Sequence, residues 1–138
     1  MGMTIVETLF DVGQKIFGLK IELAKARQNR KQQVAEFLAA IAQTIEEANA
    51  ELRQGNYPHG KCQELFVHSQ NMEAAIGDLV GQPLAQALGA QLAEVYEIER
   101  LHAELGADTD DERQRKLSVL DQAAGQFRAT AAFVRVSP

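Results

Sequence analysis

Glu99-Arg100-Leu101-His102 sets a carboxylate and an imidazole one helical turn apart. Di-iron helical bundles use this Glu-x-x-His step twice, together with two further glutamates. No second copy occurs, because Glu64 and His68 stand four residues apart. A half-buried helix histidine is the plainer account of His102. His59, Cys62 and His68 could reach one zinc ion only by bending around a helix start, and they lack a fourth ligand. A Gly-rich phosphate loop, a nucleophile elbow and a His-Glu-x-x-His run are all missing. The segment Asp108 to Asp111 lacks the Gly and terminal Glu of a calcium loop. These absences predict a protein that is not an enzyme, with no metal site and no cofactor.

What must be positioned, then, is surface rather than a reaction centre. Placed at about 100° per residue, Ile5, Leu9, Val12, Ile16, Leu19 and Leu23 fall on one line, and Val6, Phe10, Phe17 and Ile21 on a second beside it. Together they widen the apolar arc to about 200°, against the ~100° stripe of an ordinary surface helix. Such a helix must be covered on two sides, or leave the fold for another apolar environment. Gly13 and Gly18 inside it each cost about 1 kcal/mol relative to Ala. They point to close helix packing or to a marginally held helix.

The basic run from Lys25 to Lys31 follows at once. Residues 1–31 carry six basic side chains against three acidic ones, a surplus of three in a chain of net charge -5, so the remainder carries -8. A basic, apolar front on an acidic body argues against nucleic-acid binding and suits an anionic membrane surface, where each well-placed cation adds ~1 kcal/mol. The plainer alternative is that these cations cover a helix junction and pair with the acidic body. No run reaches the ~18 apolar residues of a spanning helix, Glu7 and Asp11 interrupt any signal peptide, and the lone Cys62 fits a reducing compartment. The expected location is cytoplasmic, with recruitment to a membrane.

The periodicity predicts an all-α chain forming one domain over 1–138. The architecture it suggests is an up-and-down four-helix bundle with a fifth helix packed alongside. The expected helices span roughly 3–26, 30–54, 61–80, 83–105 and 111–134. Gly55 is placed to end the second in a left-handed cap, and Pro83 suits the first turn of the fourth. Thr109 with Glu112 reads as a capping box for the fifth. Between the first two helices no Gly or Pro stands, and a sharp turn near Gln28-Asn29 is expected rather than one long rod. Leu9, Ile16, Phe37, Ile41, Leu65, Ile76, Leu88, Val95, Leu120 and Phe127 are the expected core centres, with Phe66 and Leu84 also facing inward.

The stretch Leu9-x-x-x-Gly13-Gln14-x-Ile16, the Lys/Arg/Asn/Gln-rich turn at 25–33 and the amphipathic helix after it resemble the HeLo-type bundles. That group includes the N-terminal bundle of mixed-lineage-kinase-like necroptosis executors, fungal HeLo domains and a bacterial counterpart called Bell. The order of four helices and a later one after an acidic linker is also similar. The resemblance implies a membrane-perturbing effector of a cell-death or defence pathway, released by an upstream sensor protein. The chain departs from that pattern in lacking any kinase, nucleotide-binding or amyloid-forming segment.

On both grounds the first helix, residues 1–26, is expected to be the working and releasable element. Ile5, Leu9, Phe10, Phe17, Lys20, Lys25, Arg27, Arg30 and Lys31 would contact an anionic membrane or a partner. Charge reversal at Arg27, Arg30 and Lys31 is expected to leave the melting temperature nearly unchanged. The competing expectation is a non-enzymatic interaction module that forms a homo-oligomer, because a second copy covers a wide apolar arc as well as lipid does.

Overall fold

The computed structural model describes residues 4–94, 98 and 100–138, so expectations for Met3, Val95 and Glu99 lie outside it. Among the described residues the chain is all-helical, without a strand, in seven helices. They are α1 (Ile5–Gly18), α2 (Lys20–Ala24), α3 (Gln28–Arg53), α4 (Lys61–Val80), α5 (Gln82–Ala93), α6 (Leu101–Ala107) and α7 (Asp110–Val136).

Two expected helices are therefore subdivided. The first breaks at Leu19, which leaves helical geometry at φ -100°, ψ 10° and donates its N–H to the Ile16 carbonyl. Apolar spacing runs unbroken through this point, but Gly18 stands just before it, and the bend brings Leu23 into the core and turns Ile21 outward. The expected 83–105 helix is described as α5 and α6. The turn before α3 comes at Lys25–Arg27, slightly earlier than expected, with Arg27 extended and Gln28 already helical.

Local chemistry sets the other ends. Thr4 and Glu7 form a full capping box at the start of α1, each side chain accepting from the other's backbone N–H. Gly55, at φ +78°, closes α3: Asn56 N–H reaches the Glu51 carbonyl and Gly55 N–H the Leu52 carbonyl, both of which the helix end would otherwise leave unpaired. Pro83 lies in the first turn of α5, as its missing N–H favours. At α7 half of the expected box forms, with Thr109 accepting from Glu112 N–H.

α3 packs on α7 and α4, α4 on α5, and α1 on both α5 and α7, which closes a ring around one core. Links between α3 and α7 run antiparallel, Arg128 to Glu46 and Arg53 to Asp121. α1 and α7 run in the same direction: Gly13 sits against Ala123 and Phe127, and Lys20 near Phe133. Gly13 makes the approach possible, since a Cβ there would stand 3.2 Å from the Ala123 carbonyl oxygen.

Leu9, Ile16, Ile41, Leu65, Ile76, Leu88, Leu120 and Phe127 are buried as expected. Phe37 is only partly buried and meets the His68 ring edge-on at 6.3 Å. Phe66 and Leu84 point outward, contrary to expectation. The inner line of α4 runs through Leu65, Ser69, Met72 and Ile76, which leaves Phe66 on the face of Gln70 and Glu73. In α5 the inner line is Ala85, Leu88, Gly89 and Leu92, one step past Leu84.

Candidate functional site at the basic end of the bundle

α1, α4 and α7 finish at one end of the bundle, where α2 lies and α3 and α5 begin. Residues 17–31, 75–82 and 133–138 make up this end. They hold six cations (Lys20, Lys25, Arg27, Arg30, Lys31, Arg135) against Glu22 and Asp78, a surplus of four. With a total of -5, the rest of the molecule carries -9.

Two of the six cations are structural. Arg30 pairs with Asp78 and donates to the Ala75 carbonyl at 2.6 Å, fixing the start of α3 to α4. Lys31 is buried at 5 % exposure, and its ammonium donates to the carbonyls of Ser137 and Pro138 at 2.7 and 2.8 Å. A cation so placed satisfies carbonyls that α7 leaves open and opposes the negative end of its dipole. Reversing Arg30 or Lys31 would thus disturb the fold itself, which corrects the expectation of an unchanged melting temperature.

Lys25, Arg27 and Arg135 are exposed and form no ion pair among the described residues. Lys20 lies over the Phe17 ring, 3.9 Å from its centroid, with the Phe133 ring centroid at 6.0 Å. Four apolar side chains break the surface here: Phe17, Ile21 at 60 % exposure, Phe133, and Val136 at 79 %.

The remaining expected site residues separate from this group. Leu9 is fully buried, while Ile5 and Phe10 are half-buried against the core. Phe10 floors an open groove of about 460 Å³ between α1 and α7, shared with Glu7, Asp11, Gln14, Val119 and Gln122. Asp11 there is held below the usual carboxylate range by hydrogen bonds from Lys15 and Gln91. The wide arc of the first helix thus divides in two, with Val6 and the Ile5 line covered and Phe17 and Ile21 left outside. Phe133, Arg135 and Val136 were not expected in the site. They lie off the inner line of α7, a weak signal by itself; it becomes legible once α7 is known to end beside α2.

Elsewhere the polar clusters are self-contained. Lys61 bridges Glu47 and Glu64 at 2.8 Å each, which raises its pKa and lowers that of Glu47. Burial pushes the His68 pKa down, and its Nε2 lies 3.1 Å from Thr44 Oγ1. Thr44 is itself buried, so this pair offers no accessible nucleophile. His102 is half-buried, with Nε2 3.1 Å from the Gly55 carbonyl, and it lines an open depression of about 380 Å³ with Arg53 and Arg113. Those two guanidinium groups already hold Asp121 and Asp110. Among the described residues no three His, Cys, Asp or Glu side chains come together to hold a metal ion, and no helix is long and apolar enough to cross a membrane. No family model, curated protein or solved structure matches the chain.

Proposed function

We propose that this chain is a non-enzymatic helical bundle that docks on anionic membrane surfaces with its basic end. The observation that carries the reading is the coincidence of unpaired Lys25, Arg27 and Arg135 with exposed Ile21 and Val136 at one end of an otherwise acidic molecule. These three cations and Lys20, four in all, contribute about 4 kcal/mol near an anionic surface. Partial insertion of Ile21 and Val136 adds about 2–3 kcal/mol. The sum corresponds to a dissociation constant between millimolar and micromolar, a reversible peripheral attachment.

The contacting element in this reading is α2 with the last turn of α1, while the bulk of α1 stays docked. Leu9, Val12 and Ile16 are fully buried, so freeing the whole helix would expose an apolar line worth several kcal/mol. The effector role in cell death or defence rests on the HeLo-type resemblance alone. It would require an upstream sensor to supply that energy.

Flotation with phosphatidylglycerol-containing vesicles tests the docking. Wild type floats, and Lys20→Glu, Lys25→Glu and Arg27→Glu together abolish flotation while circular dichroism shows the same melting temperature. Wild-type protein that ignores such vesicles at low salt would end the reading. A second reading, a protein-interaction or homo-oligomer module, is favoured by Phe66 and Val67, exposed at 49 % and 53 % on α4 beside Gln70 and Glu73 rather than cations.

A further inference from the structure

The ammonium of Lys20 sits between two aromatic rings of different helices, 3.9 Å from the centre of Phe17 and 6.0 Å from that of Phe133. Both rings are more than a third exposed. An ammonium over an aromatic face is held by the ring quadrupole, and quaternary ammonium groups, which are weakly hydrated, are recognised in this way. The lysine is long, flexible and tethered by backbone alone, so it can vacate this position without unfolding anything. We propose that Phe17 and Phe133 form a binding site for the choline headgroup of a bilayer lipid, occupied at rest by the chain's own Lys20 ammonium.

The surroundings suit a headgroup rather than a bare cation. Choline carries a phosphate beside its quaternary nitrogen, and Arg135, two residues beyond Phe133, is exposed and makes no ion pair among the described residues. Lys20, once displaced, becomes a second cation for that phosphate. Of the two acids at this end, Asp78 is engaged by Arg30. Exposed Ile21 and Val136 place the acyl boundary on the same side as the rings. The inference deepens the membrane reading by naming the lipid chemistry at the same end, and its test separates the two.

The probe is tetramethylammonium chloride, followed through the ring resonances of Phe17 and Phe133 by NMR against sodium chloride of equal ionic strength. Saturable shifts are expected in wild type. Lys20→Gln, which removes the internal competitor, tightens binding about two- to fivefold. Phe17→Leu and, separately, Phe133→Leu lose it, with melting temperatures recorded as controls. A Lys20→Gln variant that binds no better, or shifts reproduced by sodium chloride, overturns the site. In the lipid arm, vesicles hold phosphatidylglycerol constant and take either phosphatidylcholine or a galactose-headed diacylglycerol as the remainder. Wild type prefers the choline vesicles and Phe17→Leu loses only that preference. Equal binding to both overturns the headgroup assignment and leaves anionic docking standing. Failure to bind either vesicle overturns both.

Discussion

The two ends of the bundle use the same residue types to opposite effect. Where α3 meets α6 and the start of α7, Lys116 lies at 11 % side-chain exposure with hydrogen bonds to Glu104 at 2.6 Å and Asp108 at 2.7 Å. Burial works against its charge, but the two carboxylates outweigh that cost and raise its pKa. Arg113 donates to Asp110 and to the Leu105 and Asp108 carbonyls, tying α6 to α7. Charge at that end fastens elements to one another. At the α2 end Arg30 and Lys31 do the same, while Lys25, Arg27 and Arg135 make no ion pair among the described residues. A cation kept in solvent with no internal partner adds almost nothing to folding, so its contribution is available to whatever approaches from outside.

The contrast can be broken most directly at Lys116. Lys116→Ala should lower stability by about 2–3 kcal/mol, since Asp108 loses its cation in a poorly solvated place. Lys25→Ala should change it by less than about 0.5 kcal/mol. Urea denaturation of the two variants compares them, and equal losses would erase the distinction between the ends. Lys31→Ala sharpens it from within the basic end, with an expected cost of about 1–2 kcal/mol and faster amide exchange confined to the last turn of α7. The two glycines of α1 should move in opposite directions. Gly13→Ala costs roughly 1 kcal/mol because its Cβ meets a backbone oxygen at 3.2 Å, whereas Gly18→Ala, facing open space at the basic end, gains about 0.5–1 kcal/mol. The smallest effect is on pH. Burial lowers the His68 pKa below its ordinary 6.5, so the unfolded chain takes up a proton first and stability declines as pH falls below about 6.5. His68→Gln should flatten that slope between pH 7 and 5, measured by thermal melts.

Helix ends were legible wherever side-chain or backbone chemistry is local: Gly55, Pro83 and Thr109 mark theirs from the sequence alone. The break at Leu19 was not, because the apolar period continues through it and Gly18 alone does not fix a bend; seating Leu23 beside α4 and α7 does. That the basic run covers a helix junction was one of two readings of the sequence, but which of its cations do so was not legible, since the acceptors of Arg30 and Lys31 on α4 and beyond α7 lie about 45 and 106 residues away. The site was half legible for the same reason. Phe17, Lys20 and the Lys25–Arg27 turn belong to the first helix and its exit, but Phe133, Arg135 and Val136 join them only through the parallel pairing of α1 and α7.

That pairing has a consequence for the order in which the molecule is made. During synthesis α1, which carries Leu9 and Ile16, emerges well before α7, on which it packs, with residues 19–109 between them. At about 5–20 residues per second, the nascent protein spends several seconds with that apolar line uncovered. This amphipathic helix is therefore most accessible to a chaperone or a membrane before α7 has emerged, and α7 closes that opportunity when it docks.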